Sequence, residues 1–388
     1  MDVAALQDSW ETVAKSGDEV PLYFYSHLFL SHPELRELFP IGMSGQRDRL
    51  VTALGQIVSN VHQIDQVVGF IQQLGRDHRR FSVVASHYDA VGASLLATLR
   101  QFLGASWTDS LAADWAAAYG LVAKTMVEAA EQDEEKAPAW WMADVMSVER
   151  RTTDVGIVQL KPHEQFPYEP GQSMAVEVPQ RPRLWRYFSP ANAPRPDGSL
   201  ELHVQIVDGG QVSPAVVRSL RSGDTVKLGR AVGRMFTLPA SDQRDLLLVA
   251  GGTGLSPFRA LLEQFDIRYQ QTGSAPRVHL FHGARMPWNL YARDEMSRLT
   301  ASRPWFDYTE VVSDDPTFPG DRGQVGSTAA ARGFWQGRLT MVCGSPRMVQ
   351  NTLSELTSAG ASTTDIRSEE LGNLTGSTNP PAQVGEQS

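Results

Sequence analysis

The chain has 388 residues, enough for two or three domains with separate cores. Its 41% hydrophobic content is ordinary for globular protein, and a formal charge of -9 argues against nucleic acid or an anionic membrane surface as the main partner. One cysteine, Cys343, excludes an internal disulfide and a cysteine-ligated zinc or iron–sulfur site.

No apolar run approaches membrane-spanning length, and the opening MDVAALQDSW lacks a signal-peptide pattern, so a soluble cytoplasmic protein is expected. Between Pro40 and Pro138 there is no proline, which predicts long helices. Leu50, Leu54, Ile57 and Val61 form one helical stripe. Leu111, Trp115, Tyr119, Val122 and Met126 form another. In the stretch QQLGRDHRRFSVVASHY, His78 shares a helical face with Ile71, Leu74 and Phe81. Such a histidine is either a core residue bonded to a carbonyl or an imidazole ligating the iron of a flat apolar cofactor. The charged run from Glu131 to Pro138 reads as a helix end and a domain boundary, with Trp140 and Trp141 packing between domains.

From Met146 the period changes. In LELHVQIV, Leu200, Leu202, Val204 and Ile206 alternate with Glu201, His203 and Gln205, the pattern of a half-buried strand. Val155–Leu160 and Met174–Val178 are similar, so a small antiparallel barrel is predicted. Within it, Arg186-Tyr187-Phe188-Ser189 follows Pro170-Gly171-Gln172, and Gly210-Gln211-Val212-Ser213-Pro214 comes later. Ser213 is expected to cap a short helix whose free amides meet a phosphate, with Arg186 as a planar donor fork for the same group.

From Asp245 strands alternate with helices, which predicts a parallel sheet with ligands at the strand C-terminal ends. The strands read are Leu246–Ala250, Val278–His282 and Leu339–Cys343; the helices begin at Pro257, at Leu290 and near Arg347. Gly252-Thr253-Gly254-Leu255-Ser256-Pro257 sits between the first strand and its helix, where glycines let backbone amides approach a phosphate. Cys343-Gly344 closes the last strand. Gly372–Ser388 has the composition of a disordered tail.

Taken together, these motifs resemble the flavohaemoglobins, in which a globin is fused to a ferredoxin-reductase-like FAD and NAD(P)H module. The resemblance runs from Met1 to about Gly372. In the globin it rests on Phe24-Tyr25, HPELRELF from His32 to Phe39, Gln46-Arg47, and Leu95-Leu96-Ala97-Thr98-Leu99. It implies that His78 is the proximal ligand of haem b and that Phe39 wedges against the porphyrin. It further implies that Tyr25 and Gln46 hydrogen-bond bound oxygen under Leu50, and that Tyr88 is the proximal tyrosine. In the reductase, Gly171, Gln172, Arg186, Tyr187, Phe188, Ser189 and Gly210 to Ser213 match the FAD motifs. Gly252, Thr253, Gly254, Pro257, Cys343 and Gly344 match the nicotinamide nucleotide sites. Four positions depart from the family pattern: Phe188 replaces a tyrosine, Leu371 an aromatic over the flavin, and Asp77 a lysine. The acid that supports the proximal pair falls near Ala130, between Glu128 and Glu131.

The expected architecture is an all-α globin (1–137), an antiparallel FAD-binding β-barrel (138–240), a parallel α/β NAD(P)-binding domain (241–372) and a tail (373–388). The expected function is transfer of electrons from NAD(P)H, NADH favoured, through FAD to a globin haem that binds oxygen. Nitric oxide dioxygenation to nitrate is the reaction the resemblance implies. The alternatives are a flavohaem reductase or oxidase for another donor or acceptor, and an oxygen-binding or sensing globin. Arg285, after the second strand, leaves NADH and NADPH open.

Overall fold

The computed structural model describes residues 1–60, 64–239 and 242–371. Val61 and the tail expected from Gly372 lie outside them. Among the described residues, chain contacts form two compact units, 1–139 and 140–371.

The first unit is helical. It contains α1 (Val3–Ala14), α2 (Glu19–Ser31), α3 (Ser44–Ser59), α4 (Ile64–His78), α5 (Ala85–Leu103) and α6 (Asp109–Glu134). Asp2 caps α1 by accepting from the Ala5 amide, and Thr108 caps α6 by accepting from Leu111. The core gathers Leu6, Trp10, Val13, Phe24, Leu28, Leu99 and Trp115. A second cluster of Val67, Ile71 and Met126 joins α4 to α6. Their close approach is set at Gly75, where an added Cβ would lie 2.2 Å from the Met126 carbonyl oxygen. The α-helix ends at His78 itself, and Phe81 sits in the following 3-10 turn, Arg79–Phe81. The four-residue face from Ile71 to Phe81 is therefore shorter than the spacing predicts.

The second unit opens with an antiparallel sheet. Its strands are β1 (Trp141–Arg150), β2 (Val155–Pro162), β3 (Ser173–Glu177), β4 (Arg186–Phe188), β5 (Leu200–Gln205) and, after α7 (Val212–Arg218), β6 (Thr225–Val232). The order is β4-β3-β6-β1-β2-β5, and a Pro190–Leu202 bridge brings the chain after β4 back to β5, curling the sheet into a barrel. Trp141 and Trp140, expected between domains, pack on the barrel itself: Trp141 meets Phe166 edge-on at 5.2 Å, and Lys227 lies 4.7 Å over Trp140.

A parallel sheet follows. Its elements are β7 (Leu246–Gly251), α8 (Leu255–Thr272), β8 (Val278–Ala284), α9 (Arg293–Ser302), β9 (Phe306–Val312), β10 (Asp321–Arg322), α10 (Val325–Ala331), β11 (Leu339–Gly344), α11 (Pro346–Ser358) and β12 (Ile366–Glu370). The order β10-β9-β8-β7-β11-β12 reverses direction between β7 and β11. β9, β10, α10 and β12 went unread in the sequence; β12 carries Arg367, Glu369 and Glu370 and lacks an apolar run.

One strand departs from its pattern in an informative way. β5 alternates apolar and polar residues, yet Glu201 and His203 are buried along with Leu200, Leu202 and Val204. Its polar face is covered by residues far along the chain. Arg259 Nη1 lies 3.2 Å from Glu201, and the Tyr291 hydroxyl lies 2.9 Å from His203 Nδ1. A strand read as half-solvated is thus buried on both faces through ion pairs and hydrogen bonds.

Candidate functional site

In the helical unit, α4 presents His78 at its C-terminal end. Its Nδ1 lies 2.6 Å from the Leu74 carbonyl, which can only accept, so Nδ1 carries the proton and Nε2 keeps its lone pair. Burial lowers the His78 pKa and favours this neutral form. A neutral imidazole with its second nitrogen anchored is the donor that haem iron requires. Leu74 and Tyr88 beside it are only partly buried, as are Ile57 and Phe70 of the α4–α6 cluster and Phe39, Leu50 and Leu54 of the main helical core. Such apolar lining fits a flat porphyrin. The Tyr88 ring centre is 6.4 Å from that of His78, and the Tyr119 hydroxyl donates to the Tyr88 carbonyl at 2.6 Å.

Tyr25, on α2, is buried among Phe24, Phe29 and Phe39, whose ring centres lie 5.0 to 5.8 Å away. Burial raises its pKa to about 12 against the opposing pull of Gln46 and Arg49, so its hydroxyl stays a donor. That hydroxyl meets the backbone carbonyl of Gln46 at 3.4 Å, while the Gln46 carboxamide oxygen accepts from Arg49 at 2.8 Å. Tyr25 and Gln46 are thus neighbours, and a hydrogen bond with the Gln46 side chain opposes the rise in the Tyr25 pKa. Arg49 escaped the sequence reading although its i,i+3 spacing from Gln46 was visible.

Around the proximal helix end the charges differ from expectation. Asp77 is paired with Arg80 at 3.7 Å and accepts from Gln73. The buried acid of α6 is Asp133, not Glu128 or Glu131, and its carboxylate binds Arg79, the residue after His78. Arg79 also donates to the Ala137 carbonyl at 2.9 Å.

In the barrel, Gly171 has φ +92, and a Cβ there would lie 2.5 Å from the Phe236 carbonyl oxygen. Gln172 accepts from the Glu169 amide and donates to the Gly233 carbonyl at 3.3 Å. Arg186 on β4 donates to the Trp185 carbonyl at 2.8 Å, and burial lowers its pKa without discharging it. Tyr187 and Phe188 pair with Ala175 and Met174 of β3, and Ser189 follows the strand. Ser213 does not cap α7: the helix begins at Val212 with Gln211 as its cap residue, and the Ser213 hydroxyl accepts from the Val207 amide at 3.0 Å. Its role here is to fold the Asp208–Gly210 turn back on the helix.

The parallel sheet places Gly252, Thr253 and Gly254 in a 3-10 turn between β7 and α8. α8 begins at Leu255, two residues before the expected Pro257, which lies in its first turn. At Gly254 an added Cβ would fall 2.2 Å from the Cys343 carbonyl oxygen, so the turn lies directly against the end of β11. This is the switch point of the sheet, where nucleotides bind in such folds. Cys343 is buried and its thiol pKa is raised by that burial, and Gly344 follows it. Glu369, in register with Cys343, is pushed up to about 7 by burial. A Cβ on Gly233 would lie 3.8 Å from the Glu369 carboxylate. The Gly171–Gln172 cluster of the barrel and the Cys343–Glu369 pair of the sheet therefore meet at Gly233.

Family models match in the same order: Globin at residues 22–126, Oxidoreductase FAD-binding domain at 143–236 and Oxidoreductase NAD-binding domain at 248–353. The flavohemoprotein of Rhizobium meliloti is 29% identical over 331 residues, 80% of each chain, and that of Bacillus subtilis 24% over 329 residues, 81% of each.

In sequence and module order the chain is similar to the flavohaemoglobins.

The crystal structure of flavohemoglobin from Malassezia yamatoensis has the same fold, with a TM-score of 0.74 at 16% identity over 95% of this chain and 98% of that one. The chain is an NAD(P)H-dependent oxidoreductase whose cofactors are haem, FAD and a nicotinamide nucleotide. Among the described residues no helix is long and apolar enough to cross a membrane.

Proposed function

We propose that this protein oxidises NADH and consumes oxygen with nitric oxide, giving nitrate, in the cytoplasm. The observation that carries the reductase half is the meeting of Gln172 and Glu369 at Gly233, which sets the flavin motif beside the end of the nucleotide sheet. Arg186 and the amides of the Gly210–Ser213 turn would hold the flavin diphosphate. The turn amides from Gly252 to Gly254 and the N-terminus of α8 would take the nicotinamide nucleotide's phosphates. FAD bound there would supply the chemistry of taking one hydride, two electrons, from the nucleotide and releasing them singly toward haem.

In the globin, His78 would hold the iron through Nε2. Tyr25 keeps its proton far above neutral pH and would donate to a distal ligand. Phe39 and Leu50 would wall the pocket, and Tyr88 would stand beside the proximal imidazole. The module boundaries proposed are near residues 137 and 240.

The test starts with the absorption spectrum of purified protein, then anaerobic NADH, then NADH with oxygen and nitric oxide. Haem and flavin bands, reduction of both, and nitrate formed in proportion to nitric oxide are expected. His78→Ala should remove the intense haem band. Rapid NADH oxidation unchanged by nitric oxide would instead favour an oxidase for another acceptor. Little turnover under either gas would favour an oxygen-binding or sensing globin.

A further inference from the structure

Two buried histidines of the second unit are wired alike. His203 has Glu201 Oε1 2.7 Å from Nε2 and the Tyr291 hydroxyl 2.9 Å from Nδ1. His282, at the end of β8, has the Gly252 carbonyl 3.1 Å from Nε2 and the Tyr308 hydroxyl 3.3 Å from Nδ1. Tyr291 stands edge-on to both imidazoles, with ring centres 5.3 and 5.8 Å away. The barrel strand β5 and the sheet strand β8 therefore touch one tyrosine, and His282 carries that contact on to the Gly252 carbonyl.

His282 is completely enclosed, and burial lowers its pKa to about 4, so it is neutral at ordinary pH. The Gly252 oxygen can only accept, which fixes the proton on Nε2 and leaves Nδ1 to accept from Tyr308. The same oxygen accepts from the Leu255 amide at the start of α8. In a trans peptide the carbonyl and the next amide point in opposite directions. With the Gly252 carbonyl turned in toward His282, the Thr253 N–H is turned away, toward the strand-end side where this fold takes ligands. Gly252 is left-handed at φ +53, and an added Cβ would lie 2.7 Å from Gln205 of β5. Gln205 is itself held by Asp154 at 2.8 Å. The peptide is therefore braced from the barrel as well as from β8.

We propose that His282 is a positioning residue for the nicotinamide nucleotide, holding the Gly252–Thr253 peptide so that its N–H faces the nucleotide phosphates. The proposal rests on the nucleotide reading given above.

The test is calorimetric titration of the oxidised holoenzyme with NAD+, alongside steady-state NADH kinetics. His282→Phe keeps a ring but removes the donor. It should weaken NAD+ by about tenfold, the scale of one hydrogen bond, and raise KM for NADH with kcat retained. FAD and haem absorbance should not change. His282→Gln keeps a donor and should recover most of the affinity. Tyr308→Phe leaves His282 in place but removes the hydroxyl that steadies its Nδ1; it should weaken NAD+ less, in the same direction, and decides the matter if His282→Phe does not fold. Unaltered affinity in His282→Phe, or in Tyr308→Phe where the former fails to fold, overturns the assignment alone. So does loss of FAD together with NAD+, which marks a general collapse of the unit. Absence of NAD+ binding by the unaltered protein overturns the nucleotide reading and the assignment with it.

Discussion

The two units hold their chemistry in different ways. In the globin, most of the residues expected at the haem, Tyr25 apart, are only partly covered; α3 buries Val58 alone. In the reductase, β7 and β11 are buried along almost their whole length, and the site turns lie where no side chain fits, at Gly171 and Gly254. One region is defined by side chains on helices, the other by backbone pressed against backbone. The difference predicts where each tolerates change. Globin positions should tune chemistry by substitution, whereas reductase glycines should fail outright.

The sharpest exception within the globin is the buried Arg79–Asp133 pair, the only place among those discussed where the helical unit depends on one clamp. Asp133→Ala leaves Arg79 uncompensated and should cost about 3–5 kcal/mol, read by denaturant unfolding of the holoprotein. A loss under 1 kcal/mol would mean that water already reaches the pair.

In the reductase, the buried carboxyl of Glu369 gives a pH-dependent contrast. Its folded pKa of about 7 lies above the unfolded value of 4.5, so its contribution is complete below pH 4.5 and is lost as pH rises to 7. Glu369→Gln removes that slope. The stability of the variant relative to the parent should climb by up to about 3 kcal/mol between pH 4.5 and 7, then level off. A flat difference would show that the carboxyl titrates normally.

Gly254→Ala tests the backbone rule directly. The added methyl meets the Cys343 carbonyl, so NADH-driven flavin reduction should fail, with about 1–3 kcal/mol of destabilisation. Equal reduction by parent and variant would show that β11 yields easily.

The smallest effect expected is at Phe188. Phe188→Tyr adds one hydroxyl where the proposed flavin site lies, worth about 0.5–1.5 kcal/mol, or up to about tenfold in FAD retention through purification. Equal flavin content in the two proteins would show that β4 lacks a partner for it.

The same contrast explains what was legible in the sequence. Glycine turns are local: Gly252 to Gly254 declare a close approach within a few residues and lie between β7 and α8, as the pattern implied. The His78 face was legible back to Ile71, but a 3-10 turn carries Phe81 off it, because helix ends are set by tertiary packing. Glu201 and His203 looked solvated since their partners, Arg259 on α8 and Tyr291 beyond β8, lie far along the chain. No periodicity encodes a partner at that separation. β12 was missed for the converse reason: it is an edge strand of charged residues, recruited by pairing with β11. Asp77 shows the limit of reading one residue against a family pattern, for Arg80 offsets the charge that seemed anomalous.

The Arg79 side chain also bears on how the globin should be cut out for separate expression. It reaches past α6 to the Ala137 carbonyl, three residues beyond the last helical residue, Glu134. A fragment ended at Glu134 would follow the helix boundary yet strip a partner from the guanidinium adjoining His78. A fragment carried through Pro138 keeps that carbonyl in its peptide bond. The useful end of the haem module is therefore set by a hydrogen bond rather than by the end of a helix, and haem retention by the two fragments would measure how much that bond is worth.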